Sequence, residues 1–246
     1  EEKKRSRAPV IFIIIFVLVL AALYAYLYLL PGISESRSKT QVVYYATVQD
    51  LTENKCIAAR SETVYTAKYD GSVSYYSKEG EKTRQGTMIA DIYSFGNRMS
   101  VIAETTGTVS FFIDGYEEYF DPDCFESLDP DEVAELDDIV PKSSERSDAA
   151  ADDAIFKLVT SDVWHMIILE GKDQKAGLTP GQSIIIERSD GARIPAQVTG
   201  IKEGEKADII FTDIKTYYEK SAQIRTVNAK IISSEKSGLL IPTTAV

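Results

Sequence analysis

The pattern of apolar and polar positions gives the chain three textures. Val10 to Leu30 is an unbroken run of 21 uncharged residues, VIFIIIFVLVLAALYAYLYLL. At about 1.5 Å per residue, a helix of that length crosses the roughly 30 Å hydrocarbon core of a bilayer. After a polar, Ser-rich spacer the residues become β-branched and aromatic in short runs. Strands are predicted at Gln41–Val48, Glu62–Ala67, Ser72–Tyr76, Thr87–Tyr93 and Ser100–Glu104, with glycines at 71, 80, 86, 96 and 107 punctuating them. A second series is predicted at Ile155–Thr160, Trp164–Glu170, Ser183–Arg188, Arg193–Ile201, Asp208–Phe211 and Val227–Ile232. Ser189-Asp190-Gly191 reads as a tight turn within it, and Pro195 puts its strand at an edge or a bulge. Six short strands in succession fit a small barrel, which removes sheet edges by closing on itself.

The first β region contains an echo of itself. GSVSYYSKEGE from Gly71 resembles GTVSFFIDGYE from Gly107, each with a glycine, a small hydroxyl residue, Val, Ser, two aromatics and a second glycine eight or nine residues on. Turn, alternating strand and second turn make one half of a small sandwich, and two halves bury each other's apolar face.

Between the two β regions the chain turns acidic, with sixteen acidic and two basic residues from Asp114 to Asp153. Asp121-Pro122-Asp123 and Asp129-Pro130-Asp131 read as helix starts, with Asp as N-cap and Pro at the first helical position, and Glu132 has capping-box spacing from Asp129. No D-x-[DN]-x-[DN]-G loop is present, so a solvated acidic segment is expected, followed by a linker at Pro141 to Asp153.

These textures predict a mainly β chain: tail 1–9, transmembrane helix 10–30, spacer 31–40, β-sandwich 41–120, acidic helical segment and linker 121–153, and β-barrel 154–246. The sequence begins at Glu1 rather than Met and ends at Val246 without a closing element, as a fragment would. Charge then orients the chain. Lys3, Lys4, Arg5 and Arg7 precede the apolar run, which puts the N-terminus in the cytoplasm and the rest outside. The run is too long for an ordinary signal-peptide core, and Pro31-Gly32 is no cleavage pattern, so the helix is expected to stay as an anchor. The net charge of −11, without a basic cluster in the exposed part, excludes a nucleic-acid binder.

Candidate chemistry is sparse. Cys56 and Cys124 would lie on the oxidising side, as a disulfide or as two unpaired thiols. His165 is the single histidine, and no nucleophile motif, P-loop, G-x-G-x-x-G or H-E-x-x-H accompanies it. No enzyme, cofactor or metal site is expected.

The two half-motifs, the barrel-like WHMIILEGKDQKAGLTPGQSIIIE with GARIPAQVTGI, and the ending SGLLIPTTAV together resemble the HlyD-type membrane fusion proteins, or periplasmic adaptor subunits. The resemblance implies an N-terminal anchor, a biotinyl/lipoyl-like domain of two half-motifs, and a β-barrel domain. It also implies docking on a membrane transporter such as an ABC permease, with homo-oligomers possible. Two departures stand out. Only Tyr93 to Ser100 lie where long-reach adaptors carry an α-helical hairpin, and a membrane-proximal domain is missing after Val246. A true biotinyl or lipoyl carrier is the rival, but the turn Tyr93 to Met99 has no lysine to be acylated. The expected function is therefore an extracytoplasmic, membrane-anchored adaptor of an export transporter complex, acting by scaffolding. The alternative is an envelope structural protein that organises cell-wall or division machinery. Candidate partner-binding residues sit on the turn tips: Phe95, Asn97 and Arg98 on one, Tyr116 and Tyr119 on the other.

Overall fold

The computed structural model describes residues 8–29, 44–160, 163–173, 175–216 and 221–240. The basic residues before Ala8, the spacer 31–40, the first three positions of the strand predicted at Gln41–Val48 and the closing Ile241–Val246 lie outside the described residues. Two compact units emerge, one of Glu1–Thr47 with Ser237–Val246, the other Val48–Lys236.

In the first unit, α1 (Ala8–Tyr24) continues as a π-turn over Ala25–Leu29. Every large apolar side chain from Val10 to Leu23 is exposed, and Val10–Tyr28 is long and apolar enough to cross a membrane. A helix apolar all round, with none of the described residues covering it, fits a membrane anchor.

The second unit holds a sandwich and a barrel. One sandwich sheet orders β10 (Asp148–Ala149), β3 (Gly71–Tyr75), β5 (Met88–Ser94) and β6 (Asn97–Ile102), and the other β2 (Glu62–Thr66), β11 (Ala154–Val159), β7 (Gly107–Ser110) and β4 (Lys82–Thr83). The echo in the sequence is an echo in space. β3 and β7 are equivalent central strands of the two sheets, Val73 and Val109 point into the shared core, and Tyr75 meets its counterpart Phe111 edge to face at 5.0 Å. Both opening glycines are dictated by close approach. A Cβ at Gly71 would stand 2.4 Å from the Tyr93 carbonyl oxygen, and one at Gly107 2.7 Å from that of Val159.

The barrel closes in the order β1 (Tyr44–Ala59), β12 (Trp164–Gly171), β15 (Ala207–Ile214), β14 (Arg193–Lys202), β13 (Ser183–Arg188) and β16 (Thr226–Leu240). Met166, Ile168, Ile184, Ile194, Val198 and Ile210 fill its interior. The β14 ladder to β15 begins at Gln197, so Pro195 faces no β15 partner and its missing N–H breaks no bond there; the same ladder bulges between Val198 and Gly200.

Three expectations need correcting. Ile155–Thr160, read as the first barrel strand, is β11 of the sandwich, paired with β2 and β7. Its place in the barrel goes to β1, whose Lys55–Ala59 segment pairs with β12 although it precedes the sandwich in sequence. Strand periodicity records which face is buried but not which strand lies alongside. The acidic segment, read as solvated, is packed: Phe120, Phe125, Leu128, Val133 and Ile139 cover Ile57, Ala59, Ile167, Leu169, Ile209 and Phe211 on the outer face of the barrel. This is why β12 and β15 read as continuous apolar runs, since both their faces are covered. The helix starts form as expected, a 3₁₀ turn at Pro122–Ser127 capped by Asp121 and α2 (Pro130–Glu135) capped by Asp129, whose Oδ1 accepts from the N–H groups of Asp131 and Glu132. Asp131 then accepts from the N–H groups of Glu205 and Lys206 and pins α2 to the β14–β15 turn. The stretch read as a linker supplies β10 and β9 (Lys142–Ser143), the latter paired with β8 (Phe112–Ile113), and its buried Ser144 donates its N–H to the carbonyl of Phe111 and its hydroxyl to that of Ile155.

Candidate functional site

The β5–β6 hairpin forms the first predicted tip. Ser94 pairs with Asn97 across a two-residue turn in which Phe95 and Gly96 have φ of 46° and 82°. Left-handed values at both positions favour Asn-Gly, so Phe95 holds its backbone at a cost of roughly 1–2 kcal/mol. Its ring is fully exposed. The residue thus combines backbone strain with a solvent-facing apolar ring. A groove of about 330 Å³ beside it is lined by Tyr69, Ile92, Ser94, Phe95, Asn97 and Met99.

Arg98 belongs to the same turn but is committed elsewhere. Its Nε donates to Asp91 Oδ2 at 2.7 Å, and Ser100 and Tyr76 donate to the same buried carboxylate. The Arg98 hydrogen bond, followed by those of Ser100 and Tyr76, holds the Asp91 carboxyl down at about 2. Arg98 thus ties the edge strand β6 to β5, while Phe95 and Asn97 are exposed at the tip without such a tie.

Tyr116 and Tyr119 are elsewhere. They stack edge to face at 6.2 Å and pack on Phe120, within the cluster that covers the barrel, and neither lines the groove at Phe95. The five candidate residues therefore do not form one surface. Cys56 is buried in the barrel, where burial raises its thiol to about 12; Cys124 is half-buried, and both are free thiols. His165 hydrogen-bonds Asp213 through Nδ1 at 2.9 Å and stacks on Phe211.

Sequence reading missed a cluster of six charged side chains where the chain passes between barrel and sandwich. Arg60 follows β1, Glu62 opens β2, Lys157 lies mid-β11, Asp114 and Glu117 sit in the turn after β8, and Arg225 precedes β16. All six side chains are buried, five of them completely. Lys157 Nζ lies 3.0 Å from Glu62 Oε1, 3.1 Å from Glu117 Oε1 and 3.9 Å from Asp114 Oδ2. Arg60 Nε meets Glu62 Oε1 at 3.0 Å, and Arg225 joins Asp114 at 2.9 Å and also Glu62. The guanidinium groups reach the backbone as well, Arg225 to the Ala58 carbonyl at 2.8 Å and Arg60 to that of Ile224 at 3.0 Å. Burial alone would raise the Glu62 carboxyl, but Arg60, Arg225 and Lys157 outweigh it and hold it at about 2. Three cations thus balance three anions away from water. The one visible signal in the sequence was Lys157, a lysine inside the otherwise apolar strand AIFKLV.

Residues 62–160 match the family model "RND related, barrel-sandwich hybrid domain", and residues 164–235 match "RND related, beta-barrel domain". Among curated proteins, no sequence matches. Similar solved structures include ZneB from Cupriavidus metallidurans, with 7% identity, a TM-score of 0.43, and coverage of 83% of this chain and 76% of that one. MacA from Actinobacillus actinomycetemcomitans is similar at 9% identity and a TM-score of 0.43, covering 85% and 86%. A MacA–MexA chimera containing the Pseudomonas aeruginosa MexA α-hairpin domain shows 10% identity and a TM-score of 0.43, covering 84% and 90%. The assignment rests on the two family models, which follow one another in the chain and together span more than half of it. With a barrel-sandwich hybrid domain followed by its RND-related β-barrel, and only Phe95-Gly96 turning between β5 and β6 where an α-helical hairpin would stand, the chain belongs to the membrane fusion protein family as an adaptor-type member without the hairpin.

Proposed function

We propose that the chain is a membrane-anchored adaptor subunit of an export transporter complex, with an ABC permease as the partner class. The observation that carries this reading is the consecutive pair of RND-related domains behind an apolar helix long enough to span a bilayer. Family membership supports scaffolding rather than catalysis, and association with membrane transporters and with further copies of the chain. The basic residues before the helix support a cytoplasmic N-terminus and extracytoplasmic sandwich and barrel. The docking element is the hairpin tip, with Phe95 as the apolar anchor and Asn97 beside it. Arg98 positions that tip through Asp91, while Tyr116 and Tyr119 form a separate surface by the barrel.

One observation favours a second reading. A two-residue turn in place of a hairpin shortens the reach of the sandwich, which suits an envelope scaffold organising cell-wall or division machinery. Photo-crosslinking in cells from a reactive residue at Asn97, with mass spectrometry of the adducts, separates the two. Recovery of a transporter permease supports the adaptor. Adducts confined to wall or division proteins overturn it.

A further inference from the structure

The chain passes between the sandwich and the barrel side four times: at Arg60-Ser61 out of β1, through residues 114–119 after β8, back again before β9, and past Thr160 out of β11. The first and last crossings are bonded to each other, the Thr160 N–H and hydroxyl both donating to the Ser61 carbonyl at 2.9 and 3.1 Å. Motion between domains is the ordinary expectation when the contact between them is small, and these crossings are where such motion would hinge. The six buried charges sit at this hinge. Lys157 and Glu62 belong to the sandwich strands β11 and β2, whereas Arg225 leads into the barrel strand β16 and is stapled to β1 through Ala58. Arg225 also reaches across to Glu62 and Asp114, and Arg60 reaches from the crossing to the Ile224 carbonyl and to Glu62.

We propose that this cluster is an ionic latch that holds the sandwich and the barrel at one fixed angle. Apolar surfaces tolerate sliding because their attraction has no direction. Buried guanidinium–carboxylate pairs do not, since their directional hydrogen bonds are made in one arrangement and a rotation that parts them leaves buried charge with fewer partners. Six charges that balance to neutrality gain little net stability over apolar side chains in the same space. What they add is a single permitted geometry. The latch makes the hinge rigid, so a displacement applied to the barrel moves the Phe95 tip as one body.

Pulsed electron resonance on the full chain in lipid nanodiscs tests the latch by geometry alone, independently of which partner the protein serves. Nitroxides are placed at the exposed positions Thr105→Cys in the sandwich and Ser189→Cys in the barrel, in a Cys124→Ser background with Cys56 left buried. A second pair, Lys68→Cys with Thr105→Cys, reports on the sandwich itself. The native chain is expected to give a narrow sandwich-to-barrel distance distribution. Glu62→Gln and Arg225→Met are each expected to widen it at least about two-fold while the distance within the sandwich stays sharp. A native distribution already broad, or variants as narrow as the native chain, overturns the latch. If Arg225→Met also loses the distance within the sandwich, that variant has unfolded, and the isosteric Glu62→Gln decides by the same two outcomes.

Discussion

The two half-motifs begin alike and end in opposite surroundings. In the first, the turn after the strand is closed by Glu81, which accepts from the Lys78 N–H at 2.9 Å, with Gly80 at φ 77°. In the second, Glu117 accepts from the Asp114 N–H at the same distance, with Gly115 at φ 83°. The local turn is thus built twice from the same interaction. Lys78 and Glu81 are exposed, whereas Asp114 and Glu117 are buried among Arg225 and Lys157 at the crossing between domains. A repeat supplies two copies of a shape, and the tertiary surroundings give only one of them a charge-bearing role.

The sharpest way to break this comparison is to remove a charge beside each turn. Arg225→Ala removes one of the three buried cations facing Glu62 and Asp114, leaving buried negative charge in excess, and is expected to cost about 3–5 kcal/mol. Glu81→Ala, on the exposed copy, should stay within about 0.5 kcal/mol. Urea denaturation of the two variants measures both, and equal losses would show that the two turns are energetically equivalent after all.

Acid separates them as well. The unfolded Glu62 titrates near about 4.3, but the folded one at about 2, so the unfolded state takes up its proton first as the pH falls. The stability that Glu62 contributes is complete above its unfolded value and lost as the pH drops towards about 2. Denaturation midpoints followed down from neutral pH should therefore fall in the native chain, and fall less steeply in Glu62→Gln. Asp91, also held at about 2, shares this window and is untouched by the substitution, so some slope must remain.

Where the halves are truly equivalent, the losses should match. Gly71→Ala and Gly107→Ala each press a methyl group against a neighbouring strand carbonyl, at 2.4 and 2.7 Å, and each should cost about 1–3 kcal/mol by thermal melting. A loss at one position only would mean that the two sheets adapt differently. The smallest effect is expected at the hairpin tip. Phe95→Asn suits the left-handed turn better and should raise stability by up to about 1 kcal/mol, while reducing partner capture from Asn97 in cells. A stabilised variant that keeps full capture would remove Phe95 from the docking surface.

Much of the fold was legible because β structure writes itself into short periodic runs. Trp164–Gly171, Ser183–Arg188 and Arg193–Lys202 lie where alternation and turn residues put them, and the glycine-led echo marked two equivalent strands. The short segment Lys55–Ala59 was missed, and β11 was assigned to the wrong body, because pairing across the crossing depends on contacts between residues about a hundred positions apart. The acidic stretch misled for a different reason. Its charges are numerous, but Phe120, Phe125, Leu128 and Val133 are spaced among them closely enough to cover a barrel face. At the candidate site, the turn at Phe95 was visible as a break between strands, while the commitment of Arg98 to Asp91 required the register of β5 against β6.

By itself the sequence determined the apolar helix, the strands and their turns, the helix caps and the doubled half-motif, because each depends on neighbours within a few positions along the chain. Only the tertiary structure decided which strand closes the barrel, what the acidic segment covers, and that Arg60, Glu62, Asp114, Glu117, Lys157 and Arg225 meet out of water. Those six come from four segments far apart in the chain, and a charge carries no mark in sequence of the distant partner that lets it be buried.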